Sequence, residues 1–155
     1  FIGSGLFDLA GLAAGKRPVP IGLATDVGGG SSFSMLATMR AAYEISQLRG
    51  VALHPLRAFY LATVGSARVM RLDDRVGNLA AGLEADIVVI DLKSQPLIAE
   101  RMRHAADISE ALFVQMILAD DRAIRAVYAG GRLVHERQST DDRSATSTAA
   151  AAIKR

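Results

Sequence analysis

Asp26 is the residue best placed to do chemistry. It ends a short apolar run, residues 19–24, and is followed by Gly28, Gly29, Gly30, Ser31 and Ser32. An acid at the carboxyl end of a buried strand, next to an open loop, is where parallel α/β folds keep their reactive groups. Such a carboxylate can hold a divalent metal, act as a general base on a water molecule, or close the following turn as an Asx turn or helix cap. The glycines clear side chains away so that a ligand can reach the backbone. The serines and a helix start near Ser34 add amide donors and a weakly positive dipole end. Spacing alone leaves the functional and the turn-forming roles open. A phosphate cradle is disfavoured, because the P-loop lysine is missing and the glycine spacing is not that of a dinucleotide fingerprint.

The other reactive side chains are scattered. His54, His104 and His135 are the three histidines, and none forms a His-x-His pair. His54 precedes a helix, His104 sits in a polar stretch and His135 closes a strand, so each is expected to be exposed or capping. Arg57 and Arg68 lie on one predicted helix, where a solvated or ion-paired face is the expectation. Thr25 and Ser31 flank Asp26 as candidates to orient it by hydrogen bonds.

The elements that must position Asp26 follow from pattern. Residues 6–14 form a short helix stopped by Gly15. Residues 19–24 are a strand, weakened by Pro20 and Gly22. Residues 34–49 are a helix with Leu36, Met39, Tyr43 and Leu48 on its apolar face, capped by Ser32 or Ser34. A second helix starts at Pro55 and buries Leu56, Phe59, Tyr60, Thr63, Val64 and Ala67. After a turn-rich link at 72–77, the β-branched run Ile87–Ile90 reads as a buried strand. Residues 94–107 are mixed. Ile108–Leu118 is helical, with Leu112, Phe113, Met116 and Ile117 inward. Gly130-Gly131 joins the strands 124–128 and 132–135 in a hairpin. No internal repeat is visible.

Bulk properties narrow the class. The chain has 155 residues, half of them hydrophobic, enough for a sizeable core. It has no cysteine, which excludes disulfides and thiolate metal sites and is compatible with a reducing compartment. A formal charge of +2 gives no reason to invoke nucleic acid. No apolar run is long enough for a membrane span. The first residue is Phe1, and the start shows no signal-peptide pattern, so the chain is expected to belong to a longer polypeptide or to be a processing product.

The stretch from Thr25 through Asp26, Val27, Gly28, Gly29 and Gly30 to Leu36 resembles the last barrel strand and loop of the guanine deaminase family, in the amidohydrolase superfamily. Flanking segments agree. Phe1 to Phe7 is similar to the stretch after that family's seventh strand, and Pro55 to Thr63 to its post-barrel helix. Gly77-Asn78-Leu79 and Gly82 to Val89 resemble its return to a small β-sandwich. Val127 to Val134 is similar to its closing hairpin. Together these cover residues 1–137.

The resemblance implies an α/β fold: the C-terminal strands and helices of a (β/α)₈ barrel plus part of a β-sandwich built from both chain ends. Residues 1–70 would be the barrel part, 71–137 the sandwich part with a helical insertion, and 138–155 a disordered tail. It further implies one zinc ion, bound by a His-x-His pair, two later histidines and the acid matching Asp26. In that family's reaction, as the resemblance implies, water activated at the metal would add to C2 of guanine and ammonia would leave to give xanthine. Asp26 would bind the metal and accept the water's proton. By the same analogy the complete enzyme is a cytoplasmic homodimer that acts on guanine or a related purine base, with no nucleic acid or membrane partner. Here the histidine ligands are absent, so the chain by itself is expected to be inactive. Two alternatives stand beside this reading: a truncated, non-catalytic paralogue acting as an assembly module, and a sibling aminohydrolase acting on another amino-azine or pyrimidine.

Overall fold

The computed structural model describes residues 5–138; the predicted disordered tail lies almost wholly outside them. Helix α1 (Leu9–Ala14) is capped by Asp8, whose carboxylate accepts from the Gly11 amide. Helix α2 (Met35–Leu48) follows the Asp26 loop. A continuous helical rod then comprises α3 (Pro55–Tyr60), a π-helical stretch (Leu61–Gly65) and α4 (Ser66–Val69). Strand β1 (Ile87–Ile90) precedes α5 (Pro96–Met102) and α6 (Ile108–Leu118). A 3₁₀ turn (Asp121–Ala123) leads into β2 (Ile124–Ala129) and β3 (Arg132–Glu136). No helix among the described residues is long and apolar enough to cross a membrane.

Helix α6 is the hub, with α2, α3 and α5 all packing on it. That explains its apolar content on all sides. Ala111, Val114, Gln115 and Met116 are its buried residues. Of the four predicted inward, Met116 is fully buried, while Leu112, Phe113 and Ile117 are half-buried. The core joins Leu36, Met39, Leu53, Ala58 and Leu61 to Ile98, Val114, Met116, Ala119 and Ala123. Helices from both sides of residue 70 therefore share one apolar interior.

The three strands form one antiparallel sheet in the order β1-β2-β3. Ile87 pairs with Tyr128 and Val88 with Val127; across the hairpin, Val127 pairs with His135. Gly130 and Gly131 have φ of +53° and +77°, the two positive values that a type I′ turn requires. The hairpin expected from the Gly-Gly pair is therefore present.

Several expectations are corrected. Residues 19–24 join no sheet: Pro18 and Pro20 lack donors, and no described strand lies alongside to pair with them. Consequently the described residues contain no piece of a barrel sheet. Strand β1 is not buried, since Val88 and Val89 are 55% and 40% exposed on an edge strand. Residues 94–107 contain α5, with Pro96 in its first turn and Ile98 buried. Leu48 is exposed and Ser46 takes its place inside, because position 46 continues the 36, 39, 43 spacing and Leu48 lies far around the helix. In the 55–69 rod the buried residues are Ala58, Leu61, Gly65 and Ala67, not Leu56 or Thr63. The π-helical stretch holds an extra residue per turn, which rotates the face away from a 3.6-residue pattern.

A clasp closes the sheet. The Arg137 guanidinium bonds both the Asp91 carboxylate and the Arg122 carbonyl. The Lys93 amide, 2.9 Å from Asp91 Oδ1, and then Arg137 hold the Asp91 carboxyl below the ordinary carboxylate range, against the opposing effect of burial. A depressed folded pKa contributes stability that is present above the ordinary carboxylate range and lost as pH falls through the depressed value. Asp91→Asn should therefore flatten the acid side of a stability-versus-pH curve, measured by urea unfolding. A curve of unchanged shape would refute the clasp's contribution.

Candidate active site

The Asp26 loop is anchored from behind by the 55–69 rod. The Leu23 amide donates to the Leu61 carbonyl at 3.0 Å. The Ser66 hydroxyl lies 2.8 Å from both the Leu23 and the Leu61 carbonyls and so bridges them. Residue size makes this approach possible. A Cβ on Gly22 would stand 2.6 Å from Ser66 Cα, and one on Gly65 would stand 3.0 Å from the Ile21 carbonyl oxygen. The segment thus lies on the π-helical stretch through two missing side chains.

Beyond this anchor the chain turns sharply. Asp26 has φ +51°, a left-handed value that Asp and Asn tolerate better than most residues. Its main-chain carbonyl accepts from the Gly29 amide at 2.9 Å and from the Gly30 amide. Gly28 has φ +103°, and a Cβ on Gly30 would collide with the Thr25 carbonyl oxygen. Two of the three glycines therefore have defined work, one at a positive φ and one at a close backbone approach. Next, Ser32 Oγ accepts from the Ser34 amide at 3.0 Å, and Ser34 Oγ caps α2 by accepting from the Ala37 amide at 3.4 Å.

These bonds separate the roles left open for Asp26. The turn is closed by its main-chain carbonyl, not by an Asx bond, and Ser34 supplies the helix cap. Its carboxylate is exposed and makes no hydrogen bond or ion pair among the described residues. Neither Thr25 nor Ser31 bonds to it, so the expectation that they orient it is not met. Val27 and Phe33, on the same loop, are 62% and 83% exposed. The free acid thus sits among uncovered apolar side chains.

The histidines stay with their own elements, as expected. His54 Nδ1 caps α3 by accepting from the Leu56 amide at 3.3 Å. His104 Nε2 lies 3.5 Å from Glu100 Oε1. His135 is exposed on β3. Arg68 pairs with Asp73 at 3.5 Å, and both Arg57 and Arg68 lie over the Tyr60 ring. Sequence reasoning missed Ser66, although a small polar residue directly after Gly65, between Val64 and Ala67, was a visible sign.

A metal must be weighed against this donor set. Among the described residues no group of three or more His, Cys, Asp or Glu side chains could hold an ion. A catalytic zinc takes at least three protein ligands. The described residues therefore do not fit a zinc by themselves; the unengaged Asp26 carboxylate fits as one member of a larger set.

Residues 2–134 match the amidohydrolase family. The guanine deaminase of Escherichia coli (strain K12) is 44% identical over 137 residues, a match covering 88% of this chain and 31% of that enzyme. Among solved structures, E. coli guanine deaminase superposes with a TM-score of 0.82 at 45% identity, covering 88% of this chain and 31% of that one. The guanine deaminase of Bradyrhizobium japonicum gives 0.77 at 27% identity, covering 88% and 35%. The chain thus spans about a third of the length of the relatives it matches.

Asp26→Asn keeps the left-handed turn and removes a charge that has no partner among the described residues. Its unfolding free energy in urea should stay within about 0.5 kcal/mol of the parent. Gly30→Ala should cost about 1–3 kcal/mol through the collision with Thr25. A destabilised Asp26→Asn would mean that the carboxylate is structural after all.

Proposed function

The chain belongs to the amidohydrolase family, and from that premise we propose that it supplies the C-terminal third of a zinc-dependent guanine deaminase. The reaction would be guanine plus water giving xanthine plus ammonia. One observation carries the reading: the Asp26 carboxylate is held at the tip of a built turn and makes no hydrogen bond or ion pair among the described residues. An acid so displayed is available to a ligand.

The chain's own residues would contribute as follows. Asp26 would hold the ion and take the proton of the attacking water as its oxygen adds to C2 of the base. That proton would pass on to the departing amine. A zinc ion, when bound, would supply Lewis acidity at neutral pH. Gly28 and Gly30 would keep the approach to Asp26 open, and the Leu23, Leu61 and Ser66 bonds would fix its position. The remaining ligands and the base pocket would come from sequence that the relatives have and this chain does not span.

Exposed side chains along the segment support incompleteness. Leu6, Phe7, Val19, Val27 and Phe33 are each more than half exposed. A run of apolar surface like this marks a face that other sequence covers. By family analogy the whole enzyme would be a cytoplasmic homodimer working in purine catabolism.

Joined in frame to the upstream part of its gene, the protein should deaminate guanine, followed by ammonia release. Asp26→Asn in that protein should lower kcat/KM by at least about 10²-fold. The 155-residue chain alone should show no turnover. Full activity in the Asp26→Asn enzyme would sink the proposal.

A further inference from the structure

The segment Gly77-Asn78-Leu79 has no part in the site described so far. Its glycine has φ +93° and packs on the same rod that seats residues 21–23. A Cβ on Gly77 would stand 2.7 Å from Ala67 Cβ, 3.3 Å from the Thr63 carbonyl oxygen and 3.4 Å from Val64 Cα. The first of these is far inside the ordinary carbon–carbon separation of about 3.5–4.0 Å. Ala67 is only 2% exposed, so its methyl has no room to move aside. The link reaches this point through its own bonds. The Leu72 amide donates to the Ala67 carbonyl at 2.9 Å, and the Val76 amide to the Leu72 carbonyl at 2.9 Å. Arg68 Nε lies 3.5 Å from Asp73 across the same bend. The chain thus doubles back from the end of the rod and brings Gly77 against the residue next to Ser66. One helical stretch carries two close backbone contacts, Gly22 on Ser66 and Gly77 on Ala67.

We infer that Gly77 is a positioning residue for the Asp26 turn. By admitting the link against Ala67 it fixes where Ser66 stands, and Ser66 holds Leu23, three residues before Asp26. Consecutive residues of a helix are rigidly joined at about 1.5 Å of rise, so a displacement forced at Ala67 carries to Ser66. The bond at stake has little slack: Ser66 Oγ lies 2.8 Å from the Leu23 carbonyl, and such a bond is lost by about 3.6 Å. Close-packed interiors transmit strain of this kind instead of absorbing it. Gly77 itself touches neither Asp26 nor its turn, and none of these contacts depends on an open face. The consequence for turnover rests on the reading of Asp26 as the acid at the metal; the seating of the turn does not.

The test is ¹H–¹⁵N NMR of the chain, reading the Gly28, Gly29 and Gly30 amide signals, with the fold of each variant verified by circular dichroism. Gly82 provides the control: its φ is +92°, and a Cβ there meets nothing within 4 Å. Gly77→Ala and Gly82→Ala thus introduce comparable backbone strain, and only the first presses on the rod. Gly77→Ala should displace the three signals, and Gly82→Ala should leave them in place. Adding Ala67→Gly to Gly77→Ala removes the methyl at 2.7 Å and should return the signals toward their parent positions. If Gly77→Ala does not fold, recovery of both fold and signals by Ala67→Gly is the supporting result. Unmoved signals in a folded Gly77→Ala chain, equal displacement by Gly82→Ala, or no recovery with Ala67→Gly would overturn the inference. In the protein completed with its upstream sequence, Gly77→Ala should lower kcat about tenfold at nearly unchanged KM. Displaced signals with full turnover there would leave the seating intact and count against the role of Asp26 instead.

Discussion

The contact on which the rest of the site depends is the seating of residues 21–23 on the π-helical stretch. An extended segment with prolines at 18 and 20 has few donors and, among the described residues, no strand to pair with. Its Leu23 amide is satisfied by a helix carbonyl, and a serine hydroxyl ties its carbonyl to the same place. A net hydrogen bond contributes about 0.5–1.5 kcal/mol, but a buried group left unpaired costs about 1–3 kcal/mol. Two glycines, one on each side, bring the backbones close enough for these bonds. Without that approach, the turn carrying Asp26 would have no fixed base.

From this anchor the display of Asp26 follows by local chemistry. The turn is closed through the main chain, the helix is capped through Ser34, and the carboxylate makes no bond among the described residues. The same economy does not extend to the surroundings. Phe33 is 83% exposed and Val27 62%, so the loop presents its carboxylate within an uncovered apolar rim. The described residues carry the acid and its support, and the relatives carry about twice as much further sequence.

Much of this was legible in the residues. Helix boundaries came from Ser34 and Pro55, and the hairpin from a Gly-Gly pair that can adopt positive φ. These signals are local, so they survive without knowledge of the tertiary fold. The misreadings were partly local, as with Leu48, which lies far around its helix from Leu36 and Met39, and partly tertiary. Val88 and Val89 have the composition of a buried strand, but burial depends on what lies across the sheet. The face of the 55–69 rod was misjudged because a π-helical stretch breaks the 3.6-residue period, and no side chain announces it. Residues 19–24 have the pattern of a strand, yet a strand needs a neighbour to pair with. As for the site, Asp26 and its glycines stood out by type and spacing, whereas Ser66 acts through a contact 43 residues away in sequence from Leu23 and left only a faint mark.

The central claim is that Asp26 lends its carboxylate to a metal whose other ligands lie outside this chain. The most direct measurement is an anomalous difference map at the zinc edge from crystals of the protein completed with its upstream sequence. The account predicts a peak with an Asp26 carboxylate oxygen at about 2.0–2.2 Å, the usual zinc–oxygen distance. A fully ligated zinc with Asp26 turned away from it, or a peak remote from the Gly28–Gly30 turn, would contradict it.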